Sequence, residues 1–358
     1  MRACFKLWSA VAIGFALLAG SLRAEFVYVA NGDGNISAYR IGEEGTLTPV
    51  AGSPFPAGND PVSIVAAPFG KFVYVANSFS NNISAYRIGQ NGALKPLAGS
   101  PFPLGAGSMT VDFLGRFLYV AAGSTVSAYH IGKDGALTAV PGSPFPAGFS
   151  AVSVAVDPLG QFVYVANVIS NYISAYSIGQ KGILTPVPGS PFAAGIFPTG
   201  VTVDVLGRCV YVANDVSSSI SAYHIAENGA LTPVAGSPFP GKRPVSVAVD
   251  FWGRFLYAAN EFGGVSAYDI SENGALTSVA GSPFPTGRGS PASIAVDFWG
   301  RFVYAPNWDD SNVPAFRIGT EGALTPVVGS PFPAGLSPHS IAITATTHEE
   351  DDEQDDEN

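Results

Sequence analysis

One unit is written seven times in this chain. Gly-Ser-Pro-Phe begins at Gly52, Gly99, Gly142, Gly189, Gly236, Gly281 and Gly329, at spacings of 47, 43, 47, 47, 45 and 48 residues. A second marker, the tyrosine of Val-Tyr-Val-Ala-Asn and its variants, keeps the same beat at Tyr28, Tyr74, Tyr119, Tyr164, Tyr211, Tyr257 and Tyr304. A unit of this size cannot bury its own apolar face and must stack on its neighbours, so the period restricts the fold to solenoids and propellers.

The content of the unit decides between them. In residues 152–189, a β-rich run Val152 to Val156 is followed by Asp157-Pro158-Leu159-Gly160, which fits a type I turn with Asp at the first position, Pro at the second and Gly at the fourth. A second run, Phe162 to Ala166, leads through a polar loop to a third, Ile173 to Ile178, and a Gly-containing loop leads to a fourth, Ile183 to Val187. Four short runs joined by tight loops, with no helical periodicity, describe a propeller blade. Only 12% of residues are charged while 42 are Gly and 29 are Pro, a composition that excludes coiled coils and helical bundles.

The ends of the array predict how it closes. The first unit starts at Phe26 with what corresponds to a second strand, and the missing first strand reappears at the far end as Ser340-Ile-Ala-Ile-Thr344, matching Ser293-Ile-Ala-Val-Asp297. The fold predicted is all-β: a seven-bladed β-propeller, four antiparallel strands per blade, its closing blade formed from the C-terminal strand plus three N-terminal strands. Such closure leaves no open sheet edge.

Three segments are delimited. Residues 1–24 carry Arg2 and Lys6, an uncharged run from Leu7 to Ala19 and a small-residue end, the layout of a secretory signal peptide with cleavage after Ala24 or Ser21. Ser21 stands where a lipoprotein signal has Cys, so release to the periplasm or the exterior is expected, without a membrane span in the mature chain. Residues 25–347 form the propeller. Residues 348–358 hold eight acidic side chains among eleven, a density expected to stay solvated and disordered. With the +3 of the leader and the −8 of this tail set aside, the body carries only −5 of the net −10. No basic patch is present to offset phosphate repulsion, which excludes nucleic acid as a partner. Once Cys4 leaves with the leader, Cys209 is alone; it replaces the Phe of the other six units and reads as a small core residue.

Tyr74-Val-Ala-Asn77, followed by Ser80-Asn-Asn-Ile-Ser-Ala-Tyr86, and Val-Ser-Val-Ala-Val-Asp with a Gly before the next strand, resemble the lactonase-type propellers. These are grouped with the Tyr-Val-Thr-Asn repeat propellers, and relatives include 6-phosphogluconolactonase and the fungal carboxymuconate-lactonizing enzyme. The resemblance covers residues 26–345. It implies a site built from a His-Pro-His segment before one first strand and, two blades later, a Pro-Arg-His segment followed by Tyr-Val-x-Asn-Glu. Here the last element is present as Ala259-Asn260-Glu261. The Pro-Arg-His segment reads Pro244-Val245-Ser246 with Arg243 on the other side of the proline, and the His-Pro-His segment reads Ala151-Val152-Ser153.

Because the repeat is scaffold, departures from it in the loops of one face mark candidate site residues. Blades six, seven and one contribute Lys242, Arg243, Glu261, Arg288, Trp308, Asp309, Asp310, Asp33 and His339, whereas blades four and five contribute Phe149, Val168, Ile169, Tyr172, Ile196 and Phe197. The expectation is a mouth charged on one side and apolar on the other. Glu261 or His339 is the candidate base, Arg288 or Arg243 the candidate partner of an anion or oxyanion, and Lys242, Arg243, Trp308, Asp309, Asp310 and Asp33 are candidate ligand contacts. Asn31-Gly-Asp33-Gly-Asn35 reads as a strand-joining turn rather than a calcium loop, and no metal or cofactor is expected. Trp252 and Trp299 fall in Asp-Phe-Trp-Gly turns that cover the opposite face. Two functions remain open: a monomeric exported module that binds a small molecule, an exported protein or a glycan through its loop face, and a lactone hydrolase working at the channel mouth.

Overall fold

The computed structural model describes residues 22–347, so the leader up to Ser21 and the acidic tail from His348 lie outside the described residues. Seven antiparallel sheets follow one another around a ring. The specimen blade has strands Ala151–Val156, Phe162–Asn167, Tyr172–Ile178 and Leu184–Pro186 in that spatial order. The blade also holds a fifth strand beyond the four expected: Phe192–Ala193, from the Gly-Ser-Pro-Phe segment, pairs back onto the third strand. The motif's serine explains why the segment returns there. In all seven blades its Oγ accepts the amide of the third-strand alanine, as in Ala175 to Ser190 at 3.0 Å.

The second strands are buried almost throughout, Phe162 to Asn167 without a break, because each lies in the middle of a blade with a neighbouring blade on either face. Fourth strands are three-residue edges with solvent on one side, and most end in proline, which blunts them as pairing templates.

Two contacts hold adjacent blades together, and both come from the repeat. The Phe of one second strand packs under the hairpin glycine of the next blade. At Gly92 (φ +83°) a Cβ would collide with the Phe26 ring, so both the space and the backbone demand glycine. Two residues beyond the Phe, the buried Tyr hydroxyl donates to the carbonyl of that same glycine: Tyr28 to Gly92 and Tyr74 to Gly135 at 2.8 Å, and likewise at four further junctions. The exception is Tyr119. The hairpin it faces is a 3-10 turn, Gln180–Gly182, with Lys181 at φ +63°, and its hydroxyl has no partner. In the opposite direction, the third-strand Tyr of five blades donates to a carbonyl after the preceding blade's Gly-Ser-Pro-Phe, for example Tyr268 to Pro240 at 3.0 Å.

Closure takes the predicted form. Pro338–Thr347 pairs antiparallel with Leu22–Asn31, which continues into Asn35–Ile41 and Leu47–Pro49. The pairing extends past the expected domain boundary: Ala24 faces Thr346 and Leu22 faces Thr347. Cleavage after Ser21 retains this strand whole, whereas cleavage after Ala24 removes three of its residues. On the floor of the propeller, five blades carry an Asp-x-x-Gly turn whose buried carboxylate accepts the amides four and five residues on, as Asp297 does from Arg301 and Phe302. The closing blade has Thr344 at that position, and Glu25 instead reaches across to blade seven. It accepts the Phe298 amide at 3.0 Å and pairs with Arg301 at 2.7 Å. Burial, then the neighbouring Asp297 charge, push the Glu25 carboxyl up to about 7, with Arg301 only partly opposing. Cys209 is buried as expected, with the Gly274 hairpin against its sulfur and its thiol pushed up to about 11 by burial.

The blade contacts and the buried glutamate are both open to test. Tyr74→Phe, which strands a buried carbonyl, is expected to cost about 1–2 kcal/mol, whereas Tyr119→Phe is expected to be neutral or slightly stabilising; urea midpoints of the two variants decide. A carboxyl whose folded value lies above its unfolded 4.5 stabilises the fold below 4.5 and loses that contribution as pH rises through about 7. Denaturation midpoints measured across that window should therefore fall more steeply in wild type than in Glu25→Gln, by up to about 3 kcal/mol over the window.

Candidate functional site

The face opposite the floor is built from the loops that enter each first strand and those joining second to third strands. The asparagine of Tyr-Val-Ala-Asn positions both. Asn167 is fully buried; its Nδ2 donates to Ser174 at 3.1 Å and its Oδ1 accepts the amide of Gly148 in the entry loop at 2.8 Å. Asn77 and Asn214 do the same for Gly58 and Gly195. The residue just after this asparagine then bonds the carbonyl of the last entry-loop residue, which is held at positive φ: Asp60, Ser150, Phe197, Arg243 and Ser337. The next residue but one enters the first strand at a bulge, and bulges at a sheet rim re-aim side chains.

The bulges surround a cavity of about 420 Å³ at the channel mouth. Its wall is a ring of small residues at equivalent positions, Ser63, Ser108, Ser153, Gly200, Ser246, Ser293 and Ser340, and His339 is its one titratable side chain. The serines also bind blade to blade: Ser340, Ser63 and Ser153 accept the amides of Ile64, Met109 and Val201 in the next first strand, at 3.1–3.2 Å. The hydroxyls of these three serines, each with one lone pair engaged, keep a proton to donate. Departures from the repeat do not reveal this ring, because its serines belong to the repeat; their recurrence in a first strand beside the channel is the signal the sequence offers for it.

His339 is the expected candidate that reaches the cavity. Its Nε2 lies 3.7 Å from Asp60 Oδ1, and its ring lies against Trp308 with centroids 5.7 Å apart. Burial holds the imidazole below its ordinary value, with Asp60 only partly opposing, so it is neutral at pH 7. Arg243 and Glu261 are brought together, but with each other. The guanidinium makes two bonds to Asp215, at 2.8 and 3.0 Å, and lies 2.5 Å from Glu261 Oε2. It also stacks on Phe262, 4.7 Å from the ring centroid. An arginine at φ +54° is strained backbone, and these contacts hold it there.

The remaining candidates divide. Asp33, Asp309 and Asp310 cap loops: they accept the amides of Leu336, Ser290 and Gly289, each at 3.1 Å, and Asp310 also receives Asn307 Nδ2 at 3.2 Å. Lys242 and Arg288 project into solvent beside blade six without a partner among the described residues. The expected split between a charged and an apolar sector is only half present. Phe149, Ile169, Ile196 and Phe197 are exposed on blades four and five, and Val168 is buried. Phe79 (83% exposed), Phe262 (74%) and Leu336 (64%) extend the apolar rim around the other blades. Trp252 and Trp299 lie on the floor, where the Trp252 Nε1 donates to the Trp299 carbonyl at 3.2 Å. Among the described residues, no group of three His, Cys, Asp or Glu side chains is placed to hold a metal ion.

Seven antiparallel sheets of four or five strands in a ring, closed by pairing of the first and last strands, define a seven-bladed propeller with a ligand-sized mouth. The sequence matches the family "Lactonase, 7-bladed beta-propeller" over residues 16–100, 114–249 and 242–348, and the chain belongs to that family. No curated protein matches it. Among solved structures it is similar to a Bacteroides fragilis protein provisionally described as a 6-phosphogluconolactonase, with 20% identity and a TM-score of 0.75 over 90% of this chain and 98% of that one. It is also similar to the periplasmic gluconolactonase of Pseudomonas aeruginosa, with 18% identity and a TM-score of 0.74 over 90% and 99%. The hydrazine synthase of Kuenenia stuttgartiensis is similar at 15% identity and a TM-score of 0.61, over 81% and 96%. Likeness at these identities is likeness of fold, and one fold hosts unrelated chemistries.

The neutral state of His339 is directly testable. Protonation of a ring packed on Trp308 should quench its emission, so the wild-type minus Trp308→Phe difference signal should titrate with a midpoint below 6.5 and become flat in His339→Asn. A midpoint at or above 6.5 contradicts the burial argument.

Proposed function

We propose that this chain is an exported member of the lactonase-like propellers that binds a small molecule at its channel mouth without turning it over. One observation carries the reading: Arg243, one of the two arginines expected to steady an oxyanion, is engaged with both Asp215 and Glu261, one of the two candidate bases. A guanidinium with two carboxylates on it has little charge left for a developing oxyanion, and a carboxylate held against that guanidinium is turned away from a water at the cavity. The departures at Pro244-Val245-Ser246 and Ala151-Val152-Ser153 agree with this. What the mouth retains is a donor-rich cavity of about 420 Å³, within the range of small-ligand sites, ringed by exposed apolar side chains. The leader-like residues 1–24 support export.

Hydrolysis of a lactone is the second reading, and His339 is what favours it: a neutral imidazole at the cavity with a carboxylate 3.7 Å away is the arrangement of a general base, with exposed Arg288 as the candidate partner of the carbonyl oxygen. The likeness to a gluconolactonase supports the same direction. A pH-stat panel of sugar and aliphatic lactones separates the two. Binding alone predicts thermal-shift hits among small hydroxylated compounds and no turnover above the buffer rate. Turnover that disappears in both His339→Asn and Arg288→Ala, while the fold persists, establishes the hydrolase and ends the binding-only reading.

A further inference from the structure

At the outer rim, each blade junction brings together two equivalent positions: the third-strand residue opposite the second-strand Phe, and the residue before the hairpin glycine of the next blade. Where blade seven meets blade one these are Arg317 and Glu44. The guanidinium pairs with Glu44 and lies over Phe302, 5.1 Å from the ring centroid, and Arg301 lies over the same ring at 5.2 Å. In blade two Arg87 lies over Phe72 at 5.1 Å, and in blade three His130 meets Phe117 edge-on at 5.8 Å. Where blade six meets blade seven the same positions hold Asp269 and Glu321, two carboxylates at the one junction where both residues are acidic. Asp269 faces Phe255 in register as Arg317 faces Phe302. Arg254 covers Phe255 from one side at 5.1 Å, as Arg301 covers Phe302. On the side that Arg317 fills at the other junction, a groove of about 360 Å³ remains, lined by Phe255, Asp269, Thr320 and Glu321 together with Val279 and Ala280.

We propose that this groove is a binding site for a guanidinium-type organic cation supplied from outside the chain. The seat is the one an internal arginine occupies between blades seven and one. It combines an aromatic ring with carboxylates, and exchanging the internal cation for Asp269 both empties the seat and leaves two like charges unbalanced. A planar cation restores at once the ring contact and the ion pair. Two carboxylates are too few to hold a divalent ion without further ligands, and the ring adds nothing for one. The cation is either a free small molecule or an arginine side chain of another protein, and the chemistry recognised is the same.

The full chain is titrated at constant ionic strength with two probes, ethylguanidinium and the capped tripeptide acetyl-Gly-Arg-Gly-amide, followed by calorimetry and thermal shift. Saturable binding is expected with a dissociation constant on the order of 1–10 mM, as fits one exposed cation–π contact with an ion pair. Asp269→Arg recreates the residue of three other blades, so it should fold, raise the melting temperature and weaken either probe at least about tenfold. Asp269→Asn and Glu321→Gln should each weaken binding about threefold and guard against a folding artefact in the arginine variant. A tighter tripeptide places the source in a protein side chain; a tighter ethylguanidinium places it in a free metabolite. Absence of saturation in wild type, binding unchanged in Asp269→Arg and Asp269→Asn, or binding of calcium but of neither probe overturns the proposal.

Discussion

A tyrosine hydroxyl and a phenylalanine ring seated on the hairpin glycine of the next blade are what the ring depends on. At six junctions the hydroxyl bond is made and at six the ring is a phenylalanine, Tyr119 and Cys209 being the exceptions. The glycine must lack a Cβ to admit the ring and must take a positive φ to close the hairpin, and the hydroxyl satisfies a carbonyl that the packing has removed from water. Net gains of about 1 kcal/mol per hydrogen bond are small, but each comes with the burial of two aromatic rings and recurs from blade to blade. The period of the sequence is the period of this contact. A substitution that spoils one copy weakens a junction and, because the ring is closed, the strain falls on the two blades beside it.

The same economy governs the loop face. The buried asparagine that ends each second strand ties the entry loop ahead of the blade, so the loops around the mouth are fixed by a residue that belongs to the scaffold. Individual character enters at the positions immediately after that asparagine. In blades five and six those residues, Asp215 and Glu261, hold Arg243 in a strained conformation. In blade seven Asp309 and Asp310 accept entry-loop amides, as Asn77, Asn167 and Asn214 do in their own blades. Charge at this mouth mostly builds loops, and the surface left for a ligand is a neutral ring of hydroxyls beside one imidazole.

The architecture is legible in the sequence because it is periodic: strand count, turn positions and closure all emerge from aligning seven copies, and Ser340 to Thr344 can be assigned to the first blade by its match to Ser293 to Asp297. The return of Phe192 to the third strand is not legible, since a two-residue strand carries no alternation of its own and depends on the Ser190 hydroxyl finding the Ala175 amide. Departures from the repeat pick out His339, Trp308, Arg243 and Glu261, which lie on the face that carries the cavity, yet sequence holds no record of which loop charges meet one another. Arg243 meets Asp215 across 28 positions, and the pairing turns a candidate anion binder into a brace. The serine ring is hidden for the opposite reason, as a site made by repetition looks like scaffold.

The pairing of Leu22 with Thr347 sets the molecule's orientation toward anything joined to it. Both strands of that pair run between floor and mouth with these two residues at the floor end, so Leu22 and Thr347 lie side by side, on the far side of the disc from the cavity. A tether attached directly at Leu22 or Thr347 would therefore hold the propeller by its underside with the mouth turned outward and unobstructed. Since Leu22 and Thr347 are already adjacent, a short linker joining them, with a new opening cut at an outer hairpin, would move the point of attachment without disturbing a single blade junction.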